Sequence, residues 1–168
     1  MRVSTGDPTA PATSDPVGRT GAPATRDYFA EMYVAGLLAD AGWDIYFPRR
    51  DKGFDMIISR PISGGTIVRP VQVKGKYATE EKTKKARYGF VGKLTALHDD
   101  MVLAVPYFTS SDAIAPRFVA WAKRGDIKNS SRGYAFEPAA FAAGEPAMRR
   151  EFQGFFGELG LAAIAHLK

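Results

Sequence analysis

The chain has 168 residues and a formal net charge of +5, and 45% of its residues are hydrophobic. This length and composition fit one globular domain with an ordinary core rather than a disordered chain. There is no cysteine, and His98 and His166 are the only histidines. Disulfide bridges and cysteine zinc sites are thereby excluded, and a histidine metal triad or a histidine-dependent nucleophile is disfavoured.

The first part of the chain predicts a tail, a helix and three strands. Residues 1–24 are rich in Pro, Gly, Thr, Ala and Ser, so we expect a disordered N-terminal tail. Apolar residues at helical spacing predict a helix from Asp27 to Ala41, and Gly42 is a natural stop. Apolar runs predict strands at residues 43–47, 54–59 and 66–74, with a turn at Gly64-Gly65 between the last two.

The second part predicts the remainder of a sheet and its covering helices. Residues 75–93 are basic and irregular, and strands are predicted at residues 101–108 and 117–123. The Ala-rich residues 138–168 predict a C-terminal helical region that packs on or extends the core. We therefore expect an α/β (α+β) fold whose core domain, residues 25–137, has a mixed central sheet of about four to five strands flanked by helices.

Charged and amide side chains interrupt two of the predicted strands. Burying such groups is unfavourable unless they are paired or bind a metal. Residues 55 and 74 average to a midpoint between residues 64 and 65, so a hairpin at that turn would bring Asp55 close to Lys74. Gln72 shares a strand face with Lys74. Glu31 would add a second carboxylate if the first helix packs across the sheet.

This set of groups suits hydrolysis of a phosphodiester with a divalent metal. Asp55 would be the main ligand of Mg²⁺ (or Mn²⁺), together with Glu31, the side-chain oxygen of Gln72 and the carbonyl of Val73. The metal would polarise the phosphate and lower the pKa of a bound water. Lys74 would orient or deprotonate that water, or stabilise the negative charge of the transition state.

These motifs resemble those of the PD-(D/E)XK nuclease superfamily, which has the restriction-endonuclease-like fold. They are Glu31 on the first helix, the Gly53-Phe54-Asp55 turn into a strand, and Gln72-Val73-Lys74. The chain is most similar to the variant whose third motif reads Gln-x-Lys, among Holliday-junction-resolvase and intron-homing-endonuclease-like proteins. The resemblance spans roughly residues 25–127, since the later strands fit the order of elements as well.

The resemblance implies a Mg²⁺-dependent DNA endonuclease with Glu31, Asp55, Gln72 and Lys74 in the active site. It also implies a homodimer, because many nucleases of this fold pair two sites to reach two strands. The chain departs from the pattern in two places. Gln72 stands where an acid is expected, which removes one negative charge, and Phe54 stands where a proline is expected before Asp55.

Positive charge is concentrated in the segment that holds these motifs. Residues 49–93 contain 12 Lys or Arg against 4 Asp or Glu. A basic patch attracts nucleic acid, although a solvated surface loop is the alternative. We expect DNA contacts from the cations of this segment, namely Arg49, Arg50, Lys52, Lys76, Lys82, Lys84, Lys85 and Arg87.

The location predicted from the sequence is cytoplasmic. No apolar run reaches the roughly 18 residues that cross a membrane, and the N-terminus lacks the apolar stretch of a signal peptide. We therefore expect no membrane partner.

Two other functions stay open at this point. A nuclease-fold protein that binds DNA without cleaving it would account for Gln72 in place of an acid. A protein-interaction or regulatory module would instead use the Ala- and Phe-rich residues 138–168 to dock a partner or a second copy.

Overall fold

The structure is a computed structural model that describes residues 27–50, 53–78, 90–92, 98–131, 133–142 and 144–166. The predicted N-terminal tail lies outside the described residues. So do five of the predicted DNA-contacting cations: Lys52, Lys82, Lys84, Lys85 and Arg87. Within the described ranges, no helix has the length and apolar character needed to cross a membrane.

The described residues form an α+β fold, as the sequence predicts. The α-helices are α1 (Asp27–Asp40) and α2 (Gly157–Ala163). The strands, in chain order, are β1 (Asp44–Tyr46), β2 (Met56–Ile62), β3 (Gly65–Val73), β4 (Lys76–Tyr77), β5 (Phe90–Gly92), β6 (Val102–Phe108), β7 (Phe118–Lys123), β8 (Lys128–Ser130), β9 (Gly133–Ala135), β10 (Ala139–Ala142) and β11 (Glu145–Met148).

Helix α1 follows the predicted apolar periodicity closely. Ala30, Val34 and Leu38 recur every four residues and are completely buried, so they form the stripe that packs on the sheet. Asp27 lies in the first turn, where a carboxylate is favoured by the helix dipole. Gly42 ends the segment with a positive φ of 83°, a conformation that glycine adopts without steric strain.

The central sheet is mixed, and it positions every strand that carries a candidate site residue. Strands β1, β2 and β3 form an antiparallel meander. β3 then pairs in parallel with β6, which is antiparallel to β7 on its other side. β4 pairs with the same edge of β6 further along, so β3 and β4 act as one strand that is broken at Lys74-Gly75.

The register of the β2–β3 hairpin differs from the predicted one. Ile62 pairs with Gly65, so the turn residues are Ser63 and Gly64 rather than Gly64 and Gly65. Gly64 has a positive φ of 92°, which suits a two-residue hairpin turn. The same register, continued one step beyond the ladder, brings Asp55 opposite Gln72 instead of Lys74. The partner moves by two residues, and the same strand face is therefore preserved.

The sheet separates two apolar cores. On one face α1 packs over β2 and β3, with Met56, Ile58 and Val71 completely buried beneath it. On the other face Leu103 and other residues of β6 and β7 pack against β10 and the C-terminal segment. The C-terminal segment therefore shares a core with the sheet.

The predicted C-terminal helical region is wrong for its first half. Residues 139–148 form the β10–β11 hairpin, because Ala139 and Phe141 are buried at a spacing of two, the period of a strand. A short 3₁₀ segment, Arg150–Phe155, and the seven-residue α2 follow. At Gly160 in α2, a Cβ would overlap the Phe155 carbonyl, so this position requires glycine.

Candidate active site

A cleft of about 700 Å³ opens where the start of α1 meets the ends of the β1–β2–β3 meander. The four residues predicted to be catalytic all line it. Among the described residues, the cleft is lined by Tyr28, Glu31, Met32, Phe47, Pro48, Gly53, Phe54, Asp55, Gln72 and Lys74. The sheet and the helix thus bring together residues that are more than forty positions apart in the sequence.

Asp55 is held rigidly at the start of β2. Its backbone nitrogen donates to the Val71 carbonyl at 2.9 Å. Its side-chain Oδ2 accepts two hydrogen bonds, from Nε2 of Gln72 at 2.7 Å and from the backbone nitrogen of Val73 at 2.6 Å. Hydrogen bonds to an ionised carboxylate are shorter and stronger than neutral ones. The orientation of the Asp55 carboxylate is therefore fixed by β3.

Gln72 is buried, with 7% of its surface exposed. It is satisfied because its amide nitrogen donates to Asp55. The sequence predicts Gln72 as a metal ligand through its side-chain oxygen, whereas in the structure the group that faces Asp55 is the amide nitrogen. The contact between these two residues comes from the two-residue change in register described above.

Glu31 is half-buried on α1, and the charged groups of the cleft shift its pKa. Partial burial, the negative charge of Asp55 and that of Asp27 all raise the pKa of Glu31, in that order of size, while Lys74 lowers it. Two carboxylates that disfavour each other's charge are stabilised by a cation between them. Within the cleft, Lys74 already offsets part of the effect that Asp55 and Asp27 have on Glu31.

Lys74 lies at the break between β3 and β4. Its backbone nitrogen donates to the Ala104 carbonyl of β6 at 2.9 Å. The next residue, Gly75, lies against α1, where an added Cβ would come within 3.2 Å of the Ala30 Cβ. This close approach sets the distance between the helix that carries Glu31 and the strand end that carries Lys74.

The cleft holds two carboxylates among the described residues, those of Glu31 and Asp55. In the described part of the chain, no group of three or more His, Cys, Asp or Glu side chains could hold a metal ion. Mg²⁺ is usually bound through one or two carboxylates and keeps several waters. Glu31 and Asp55 supply two carboxylates to one cleft. The backbone nitrogen of Val73 and Nε2 of Gln72 donate hydrogen bonds to the same oxygen, Oδ2 of Asp55.

The apolar rim of the cleft was not predicted from the sequence. Tyr28, Met32, Phe47 and Pro48 line it beside the charged residues. Two signals could have revealed them. Tyr28 precedes Glu31 by three residues, which places both on one side of a helix. Phe47-Pro48 ends a strand and leads directly into the basic loop.

The predicted DNA-contacting cations that the structure describes differ in their surroundings. Arg49 and Arg50 are exposed and directly follow the cleft-lining Pro48. Lys76 is partly buried in β4.

Two further cations of the basic segment have contacts within the fold. Arg60 lies over the Trp43 ring at 5.7 Å. The buried Arg69 donates to the carbonyls of Asp100 and His166, at 3.2 and 2.8 Å. Part of the local positive charge therefore stabilises the fold.

No protein-family model and no curated protein sequence matches the chain. The case for a function therefore depends on the contents and geometry of the cleft.

Proposed function

We propose that the protein is a metal-dependent DNA endonuclease that hydrolyses phosphodiester bonds with Mg²⁺, or with Mn²⁺ in its place. The observation that carries this proposal is the joint lining of one cleft by Glu31, Asp55, Gln72 and Lys74. The raised pKa of Glu31 supports it, because burial and the Asp55 charge both act on that carboxylate. A cation held between the two acids would offset this unfavourable charge.

The proposed reaction adds water across a P–O bond. The oxygen of water bonds to phosphorus, the bond to one ester oxygen breaks, and the released oxygen takes up a proton. The bound Mg²⁺ would polarise the phosphate and lower the pKa of a water. Within the chain, Asp55 and Glu31 would hold the cation. The hydrogen bonds from Gln72 and Val73 keep Asp55 in place.

Lys74 supplies the positive charge of the proposed mechanism. It sits at a strand end that opens into the cleft, where an ammonium group can position the attacking water or stabilise the additional negative charge on the phosphate. Outside the cleft, the exposed Arg49 and Arg50 would contact flanking phosphates.

The order of elements also supports the proposal. The predicted helix, the three strands that carry or adjoin the motifs, and the two later strands β6 and β7 follow one another in the order on which the resemblance to PD-(D/E)XK nucleases was based. Glu31 on α1, and Asp55 and Lys74 at the adjoining ends of β2 and β3, line one cleft. As further proposals, the protein acts as a homodimer and in the cytoplasm. Light scattering of the purified protein tests the first, and fractionation of cells tests the second.

A second candidate function is DNA binding without cleavage. The observation that favours it is the hydrogen bond from Gln72 to Asp55, because the amide presents a donor where an acid would present a metal ligand. A site with only two carboxylates binds Mg²⁺ more weakly than one with three. In that case, the basic surface would still bind DNA in a salt-dependent way.

Incubation with supercoiled, linear, single-stranded and branched DNA tests the proposal. We expect cleavage with Mg²⁺ or Mn²⁺ that EDTA stops, and none from Asp55→Asn or Lys74→Ala. Asp44→Asn, an exposed carboxylate on β1, is the matched control and should cleave normally. Circular dichroism would verify that each variant is folded. Cleavage that persists in Asp55→Asn and Lys74→Ala would reject the assignment, and DNA binding without cleavage by wild type would favour the second candidate.

A further inference from the structure

The rim of the cleft carries two exposed aromatic rings that come from separate elements. Tyr28 projects from the first turn of α1 with 73% of its surface exposed, and Phe47 follows β1 with 52% exposed. Both line the cleft together with Glu31 and Asp55. A single exposed aromatic side chain is ordinary on a protein surface, but here two rings flank one pair of carboxylates.

Exposed aromatic rings beside a phosphate site select for nucleic acid with open base faces. In a duplex each base face is covered by its neighbour, whereas unpaired bases are free to stack on a side chain. Stacking tolerates every base, because each base has a π-face. Two rings at the mouth of a cleft therefore favour single strands without requiring a particular sequence.

The charges around the rim match the same ligand. Arg49 and Arg50 are exposed and follow Phe47 in the chain after a single intervening residue, Pro48. Guanidinium groups next to stacking rings are the combination that tracks a single-stranded backbone. The acids lie deeper, where the phosphate of a stacked nucleotide would meet the proposed cation.

We propose that the cleft binds unpaired nucleotides of single-stranded DNA, and that their bases stack on Tyr28 and Phe47. This inference rests on the proposed function and names its substrate class. Single-stranded DNA, or an unpaired region next to a duplex, is bound and cut in preference to intact duplex. Tyr28 and Phe47 act in binding, whereas Glu31 and Asp55 act at the phosphate.

The chain offers a matched control in Tyr46. It is the residue before Phe47, and with 55% of its surface exposed it is as open to solvent as Phe47. Tyr46 is absent from the described residues that line the cleft. Its replacement removes a similar exposed ring without changing the rim.

Fluorescence anisotropy with oligothymidine, and with a duplex of matched length, would measure binding in EDTA, where no cleavage occurs. We expect wild type to prefer the single strand. Tyr28→Ala and Phe47→Ala should each weaken single-strand binding by roughly fivefold to 100-fold. Tyr28→Phe should retain affinity, and Tyr46→Ala should match wild type. Thermal unfolding of each variant would exclude a loss of fold.

A second measurement separates this inference from the proposed function. Mg²⁺-dependent cleavage is compared on single-stranded and duplex DNA, in wild type and in Asp55→Asn. Asp55-dependent cleavage of duplex with no single-strand preference would overturn the inference and leave the nuclease in place. Single-strand binding that needs both rings, without cleavage, would support the binding role of Tyr28 and Phe47 and reject the nuclease. Failure to bind either DNA, or equal losses in Tyr46→Ala, would overturn the inference.

Discussion

Nε2 of Gln72 lies 2.7 Å from Oδ2 of Asp55, and the backbone nitrogen of Val73 lies 2.6 Å from the same oxygen. One carboxylate oxygen thus accepts two short hydrogen bonds from β3. The pair joins the ends of β2 and β3 and fixes Asp55 toward the cleft. It also gives Gln72 a role in positioning Asp55, beyond its place in the motif.

Gln72→Glu should make stability depend more strongly on Mg²⁺ than it does in wild type. Without metal, the substitution removes a hydrogen bond to a charged group and sets two carboxylates together, so the free energy of unfolding should fall by about 2 kcal/mol or more. A bound cation would restore stability by mass action. Thermal unfolding in EDTA and in Mg²⁺ measures both effects.

The control for that experiment is Gln153→Glu, an exposed position in the C-terminal 3₁₀ segment. It should unfold like wild type in both buffers. If Gln72→Glu unfolds at the same temperature with and without Mg²⁺, the third carboxylate does not contact a metal, and the proposed site is wrong.

Glu31→Gln should stabilise the protein in EDTA at neutral pH. Because the pKa of Glu31 is raised above its ordinary value of 4.5, the folded state binds this proton more tightly than the unfolded state does. Stability from this group is present below about that value and is lost as pH rises through the raised pKa. The uncharged variant avoids this loss, but Mg²⁺ should not raise its free energy of unfolding. Unfolding curves across pH, with and without Mg²⁺, would measure both effects.

Loss of stability in Glu31→Gln at neutral pH without metal would show that the ionised carboxylate makes a favourable contact in the fold. The residue would then have a structural role and would not act as a metal ligand. An equal Mg²⁺-dependent gain in the variant and in wild type would argue against Glu31 in the same way.

Asp27→Asn should move the acid limb of the activity profile to lower pH. Cleavage requires ionised Glu31, and the negative charge of Asp27 is one of the causes that raise the pKa of Glu31. Without that charge, Glu31 ionises at lower pH and activity persists further into acid. The measurement is kcat/KM against pH, and Asp40→Asn, at the other end of α1, should leave the profile unchanged. If the pH profile of Asp27→Asn is unchanged, ionisation of Glu31 does not set the acid limb of activity.

Gly75→Ala should reduce both stability and activity. An added Cβ would lie 2.9 Å from Cε2 of Tyr77 and 3.2 Å from the Ala30 Cβ. The Tyr77 ring must therefore shift, and α1, which carries Glu31, is pushed at Ala30. Overpacking of this kind costs about 1–3 kcal/mol. Gly36→Ala is the control on the open side of α1, where nothing lies within 4 Å.

The control should change stability in the opposite direction. Alanine in a helix interior is favoured over glycine by roughly 0.5–1 kcal/mol, so Gly36→Ala should unfold later than wild type with normal activity. Chemical denaturation and cleavage assays check both variants. A Gly75→Ala protein with wild-type stability and activity would show that the contact between α1 and the strand break does not position the site.

The central sheet could be predicted from the sequence because its strands are distinct apolar runs with clear breaks. The hairpin register could not, since Ser63-Gly64 and Gly64-Gly65 are both compatible with a two-residue turn. The error did not move Asp55 off the face of Gln72, because the partner changed by two positions. The shared strand face of Asp55 and Gln72 was therefore predictable, whereas the hydrogen bond between them was not.

The C-terminal region was less predictable because alanine is compatible with both helix and strand. In Ala139–Ala142 the burial of Ala139 and Phe141 decides for a strand, and that burial comes from packing against β6 and β7. Tertiary contacts of this kind override local propensity. The apolar rim was missed for a related reason. Tyr28 and Phe47 line one cleft only because the fold places α1 and β1 side by side.

Titration calorimetry with Mn²⁺ would show whether Glu31 and Asp55 hold one divalent ion between them. Wild type should bind the ion, Glu31→Gln and Asp55→Asn should each weaken binding strongly, and Asp44→Asn should bind normally. Binding that is unchanged in both Glu31→Gln and Asp55→Asn would contradict the proposed site.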